Sequence, residues 1–181
     1  MPGTLRLSMR GFKILWETHK WIGVALGLLL VLTAGTGFLL LVKKEFAWIQ
    51  PPTQRGQEAP SEDLLSLQDV YDRVFALGLP ELRAESDIDR IDFRPGKRVH
   101  KVRAKEGLLE VQVDAVSGAI LSVDRRNSDW IESLHDGSVL GRWVHDFVFP
   151  IAALGLGVLA FTGYLIWLWP KWKKRRRRAA P

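Results

Sequence analysis

The sequence predicts a membrane protein: two antiparallel transmembrane α-helices flanking a small α+β domain, in which one helix packs on an antiparallel β-meander. Three observations carry this reading. Residues 21–42 and 147–169 run for 22 and 23 positions without a charged side chain. Between them the chain turns charged, with 15 Lys plus Arg and 19 Asp plus Glu in residues 43–146. Within that middle segment apolar residues recur first at helical spacing and then at alternate positions.

Residues 1–20 form a basic cytoplasmic segment, with Arg6, Arg10, Lys13 and Lys20 set against Glu17. The first span follows at 21–42. At about 1.5 Å per residue an apolar run of this length crosses roughly 30 Å of hydrocarbon, and it lacks the polar face of a soluble helix. Its apolar core is longer than that of a cleaved leader, and no small-x-small site precedes Lys43-Lys44, so it reads as an uncleaved signal anchor. The second span, 147–169, runs into a basic tail, 170–181, containing KWKKRRRR. Lys and Arg flanking a span stay on the cytoplasmic side. The C-terminal block outweighs Lys43 and Lys44, which places both termini in the cytoplasm of a bacterium and the central domain in the periplasm, across the inner membrane. The tail reads as a stop-transfer anchor meeting the lipid bilayer; it lacks the interleaved aromatics that stack on bases, so no nucleic acid is expected as a partner. The chain has no cysteine, which excludes disulfides, thiol catalysis and covalent c-type haem attachment.

Residues 43–61 include IQPPTQRGQEAP and read as a linker that spaces the domain from the membrane. The domain occupies 62–127. Ser66 and Asp69 match a capping box, ahead of Leu67, Val70, Tyr71, Val74 and Phe75 on one helical face, and Gly78 with Pro80 closes the helix. Then the period changes. Ile91 and Phe93, Val102 and Ala104, Leu109, Val111 and Val113, and Ile120 with Ser122 alternate with charged or polar residues, with turns at Pro95-Gly96, Gly107 and Gly118. Residues 128–146 form a juxtamembrane entry to the second span.

The two spans also resemble each other. Each stretch opens on a histidine, His19 or His145, and seventeen residues later reaches Thr-Gly, at Thr36-Gly37 or Thr162-Gly163. Seven of 23 aligned positions are identical. In helices that cross the membrane in opposite directions, His19 lies near the inner end and His145 near the outer end, so one hairpin cannot bring both to a single metal. Gly23 with Gly27, and Ala153 with Gly157, add small-xxx-small steps that let helices approach in lipid. The packing reading therefore assigns Gly23, Gly27, Thr36, Gly37, Ala153, Gly157, Thr162 and Gly163 to contacts within the hairpin or between copies.

The hairpin EGLLEVQVDAVSGAILSV resembles the signature of a PepSY domain: an aliphatic strand ending in Asp, a short turn ending in Gly, and a second aliphatic strand. With HKWIG and Thr-Gly in the first span, and LHDGSVLG before a second span that contains Thr-Gly and ends in Trp, residues 11–170 are similar to the PepSY-associated transmembrane family. Larger members have four or more spans and are regarded as haem-binding reductases, some resembling ferric-siderophore reductases; this chain is a minimal, two-span version. The resemblance makes haem b a candidate cofactor and His19, His135 and His145 its candidate ligands, with a dimer or partner subunit supplying further helices.

Other signatures of catalysis are missing from the sequence. It holds no Gly-rich phosphate loop, no HExxH and no Ser nucleophile in a strand-turn-helix context. Asp87, Asp89 and Asp92 read as a solvated acidic face, and His100 as a surface residue of a strand. Two functions remain. The favoured one is an accessory or partner-binding module of a larger membrane complex in iron uptake or respiratory electron transfer, joined to other membrane subunits or to itself through its small-residue faces. The alternative is an oligomeric haem b electron-transfer subunit, which would make the protein a haem-dependent oxidoreductase.

Overall fold

A computed structural model of the chain describes residues 9–178, with the backbone alone for 176–178. Residues 1–8 of the N-terminal segment and 179–181 of the basic tail lie outside the described residues. The chain divides into a helical unit, residues 1–35 with 134–181, and a sheet unit, residues 36–133.

The helical unit contains most of α1 (Met9–Leu41) and all of α4 (Phe149–Arg178). Both are long and apolar enough to cross a membrane, where a helix is one of the few forms that satisfies every backbone N–H and C=O internally. A π-helical turn, Val144–Val148, leads into α4. Its widened bond, from the Phe149 N–H to the Val144 carbonyl, precedes Pro150, which has no N–H with which to continue an ordinary ladder. Gly137 has φ +78°, and any side chain there would run into the Phe149 ring.

In the sheet unit the capping box closes as read: the Asp69 N–H donates to Ser66 Oγ and the Ser66 N–H to the Asp69 carboxylate, starting α2 (Leu67–Phe75). Four strands follow, β1 (Ile88–Arg94), β2 (Val99–Ala104), β3 (Leu109–Asp114) and β4 (Ile120–Arg125), as an antiparallel meander in sequence order. Val70 and Val74 of α2 pack with Leu82, Val102, Leu109, Val111 and Val113. Burial of each such side chain contributes roughly 1.5–3 kcal/mol, so this face of the sheet holds the core. The shape of the β3–β4 turn has a local cause. Asp114 accepts from the Val116 and Ser117 N–H groups, at 2.8 and 3.3 Å, and Gly118 takes φ +74°, a conformation that glycine adopts without steric cost.

The opposite face of the sheet differs from the expected pattern of polar residues facing solvent. Lys101, Glu110, Gln112 and Asp114 are almost wholly buried. The segment read as a linker covers them. Ile49 and Pro51 are buried, the Gln54 N–H donates to Gln112 Oε1 (2.8 Å), Gln112 Nε2 donates to the Pro52 carbonyl (3.0 Å), and the Gln57 N–H donates to Asp114 Oδ2 (2.9 Å). Prolines that cannot hold a helix leave extended backbone whose N–H and C=O groups are available to a polar sheet face. The stretch is a strap on the domain. Beyond β4, α3 (Asn127–His135) occupies part of the segment read only as a juxtamembrane entry, and the Ser128 N–H donates to the Ile49 carbonyl (2.7 Å).

Candidate functional site

The helical unit gathers most of the residues singled out in the spans. Contacts between α1 and α4 fall along one line. The Phe12 and Trp169 rings stack with centroids 6.0 Å apart; His19 meets Thr162 and Gly163; Gly23 faces Leu159; and Leu26 lies over Gly155. The seam advances by seven, four and three residues on α1 while it retreats on α4, the repeat of a left-handed antiparallel pair.

His19 is the polar centre of this seam. Its Nδ1 lies 2.7 Å from Thr162 Oγ1. The Thr162 hydroxyl donates back along its own helix to the Val158 carbonyl at 2.8 Å, so its oxygen accepts from His19 Nδ1–H, and the neutral ring in this tautomer carries its lone pair on Nε2. Gly163 makes room for the ring: a Cβ there would stand 3.4 Å from His19 Cε1. The antiparallel crossing sets the histidine of the first stretch level with the Thr-Gly of the second.

The other predicted residues divide. Gly23 lies on the seam, whereas no heavy atom outside their own helix comes within 4 Å of a Cβ placed on Gly27 or Gly157, and Ala153 is exposed. Within this chain those three stand off the line of contact, because the seam runs through Gly155 and Leu159. Thr36 is buried and Gly37 half-buried near the end of α1. His135, in the last turn of α3, bonds through Nδ1 to the Thr33 carbonyl at 3.0 Å. His145 lies between carboxylates, Nδ1 2.8 Å from Asp146 Oδ1 and Nε2 3.7 Å from Asp136 Oδ2. Burial alone would raise the Asp136 carboxyl. The Ser138 N–H, 2.9 Å from Oδ1, and the His145 and His135 rings hold it below the usual carboxylate range.

These positions test the fit of a b-type haem. Bis-imidazole ligation needs two histidines facing one iron. The His19 ring and the Thr33 carbonyl that holds His135 are fourteen residues apart on α1, a rise of about 21 Å. His145 is committed to two carboxylates. His19 is thus far in depth from His135 and, level with Thr162, lies seventeen residues along α4 from His145, so within one chain it lacks an axial partner.

Sequence reasoning missed the buried charges of the sheet unit. Glu110, wholly buried, accepts from Lys101 Nζ (2.8 Å), Gln112 Nε2 (3.0 Å) and an Arg126 terminal nitrogen (3.2 Å). Arg103 Nε lies 3.5 Å from Glu110 Oε2 without hydrogen-bond alignment, while its terminal nitrogen reaches Asp92 at 2.9 Å. Burial, and after it the charge of Arg126, holds Arg103 below the usual guanidinium range. For Arg126 burial acts in the same direction but is outweighed by Asp129 and Glu110, which raise it. Only the strict alternation of Lys101, Arg103, Glu110 and Gln112 on one face signalled this network, and alternation by itself implies solvent. His100 also departs from its expected place. It stacks on Phe93 with ring centroids 4.8 Å apart, both ring nitrogens are buried without a hydrogen bond, and burial lowers its pKa.

A family model for the PepSY-associated TM region matches residues 16–181. The chain belongs to the PepSY-associated TM family. No curated protein and no solved structure matches it. In this PepSY-associated TM protein the family region takes in most of the first candidate span, all of the second and the whole sheet unit, so the strap and the buried charge network lie within the family's own region.

Proposed function

We propose that this PepSY-associated TM protein is an accessory, partner-binding module of a larger inner-membrane assembly, with both termini cytoplasmic and the α+β domain periplasmic, serving iron uptake or respiratory electron transfer. The observation that supports it is the narrowness of the seam. The helices meet along one line, leaving Gly27, Gly35 and Gly157 open and Leu28 and Leu154 exposed at 83% and 74%. Uncovered small residues on membrane helices give further helices a surface for close approach. The histidine of the seam acts in this reading as a packing bond.

A second reading rests on His19 itself. With Nδ1 committed to Thr162, its Nε2 lone pair has the orientation of a metal-ligating imidazole whose other nitrogen is fixed by a neighbour. A haem b electron-transfer subunit would then be an oligomer in which another copy or subunit supplies the second imidazole. Reduced-minus-oxidised visible spectra and native electrophoresis of the protein purified in mild detergent separate the two. The accessory reading expects no b-type band and a species larger than one chain that Gly27→Leu or Gly157→Leu disperses. A sharp band abolished by His19→Ala would overturn it in favour of haem.

A further inference from the structure

The polar face of the sheet opens into a cavity of about 870 Å³. Its floor is built from the buried charges already described, Lys101, Arg103 and Arg126, balanced by Glu110, Asp92 and Asp129. The rim is not balanced. Lys43 and Lys44 enter from the strap side, Arg90 and Arg94 from β1, and Lys97 from the turn after it, against the single acid Glu132. Arg90 has one weak partner, Asp89 at 3.6 Å, both more than half exposed, which contributes little. Arg103, whose side chain is 9% exposed, also lines this space, with its Nε buried 3.5 Å from Glu110 Oε2. A concave site walled by one sign of charge concentrates ions of the other sign, and the planar donors of Arg suit a tetrahedral oxyanion.

We propose that this cavity binds a phosphate-type oxyanion, with the headgroup of an anionic membrane lipid as its source. Chain connectivity favours the lipid: Lys43 follows the last residue of α1, Leu41, by two positions, where the apolar span ends and headgroups begin. Basic residues at that depth are drawn to an anionic surface. The cavity adds to that attraction a set of guanidiniums fixed by folding.

The test uses the full-length chain in nanodiscs or detergent and reads lipid binding by native mass spectrometry and thermal stability. Discs of phosphatidylcholine with phosphatidylglycerol are compared with phosphatidylcholine alone, and in a parallel arm inorganic phosphate and pyrophosphate are titrated into detergent-solubilised protein. The variant is Arg90→Gln with Arg94→Gln, which leaves Lys43 and Lys44 intact and touches only exposed side chains. Preferential retention of phosphatidylglycerol, weakened roughly tenfold in the variant, supports the lipid source. Saturable binding of the soluble anions with the same variant dependence, and no lipid preference, supports the oxyanion site and moves its source to a free phosphate. An anionic-lipid response unchanged in the variant means that Lys43 and Lys44 alone attract the surface, and it overturns the cavity as a site. Absence of binding in both arms, with the variant folding like the parent, overturns it equally.

Discussion

His19 of the first span hydrogen-bonds Thr162 of the second, Nδ1 to Oγ1 at 2.7 Å, in the space left by Gly163. The likeness of the two spans thus has a complementary meaning at this end, where the histidine of one copy is seated on the Thr-Gly of the other. A double-mutant cycle with His19→Ala and Thr162→Val is expected to show a coupling of about 0.6 to 2 kcal/mol, the range for hydrogen bonds between membrane helices. Thermal unfolding in detergent measures it; additive effects of the two substitutions would remove the bond from the account.

Glycine substitutions separate the seam from the open faces. Gly163→Leu pushes a branched side chain into His19 and should destabilise the hairpin by about 1–3 kcal/mol. Gly157→Leu, with open space around it, should leave hairpin stability unchanged. Equal losses for the two, read by the same unfolding assay, would contradict the seam.

Glu110 sits between three cations with no exposed surface. Glu110→Gln keeps the shape but leaves Lys101 and Arg126 without their shared carboxylate, and should cost about 3–5 kcal/mol. Adding Lys101→Met to that variant should recover part of the loss. A cost under about 1 kcal/mol would show that water already reaches these charges.

Asp114 supplies a pH dependence. Burial would raise its carboxyl, but the N–H groups of Val116, Gln57 and Ser117 outweigh it and set the folded pKa below the ordinary 3.8. A depressed acid contributes stability above its unfolded pKa and loses it as pH falls through the folded value. The parent protein should therefore lose stability below about pH 4 more steeply than Asp114→Asn, whose own cost near neutral pH is about 1–3 kcal/mol. Parallel acid curves would sink this assignment.

Because the sequence has no cysteine, single introduced thiols can report topology. Ser86→Cys, exposed in the sheet unit, should react with a membrane-impermeant maleimide added to spheroplasts. Lys174→Cys, exposed at the far end of α4, should react only after permeabilisation. The reverse labelling pattern would invert the orientation.

Periodicity made the spans, α2 and a meander of three or four strands legible, since Val70, Val74, Val102, Val111 and Val113 repeat at the spacing of the elements that bury them. The seam was half legible. Small residues marked both helices, yet which of them touch depends on the rotation of each helix, and that is set by Phe12, Trp169 and Leu26 as much as by glycine. The strap could not be read from Pro51, Pro52 and Gly56, which announce irregular backbone and say nothing of what it covers. Its partners, Gln112 and Asp114, lie 58 and 57 positions downstream of Gln54 and Gln57, beyond the reach of any local pattern. Glu110 was hidden by the same distance, because a charged residue alternating with valine looks solvated until something is laid over it.

The strap also fixes an order of events. A chain made from its N-terminus delivers residues 49–57 directly after the first span, long before the side chains that will hold them have been synthesised. Until β3 emerges they have no Gln112 or Asp114 to bond, so the earliest-made part of the domain is the last to be satisfied. Closure of the strap therefore waits for β3 and, at Ile49, for Ser128 of α3, and whatever meets the strap before that moment meets an open backbone rather than a folded surface.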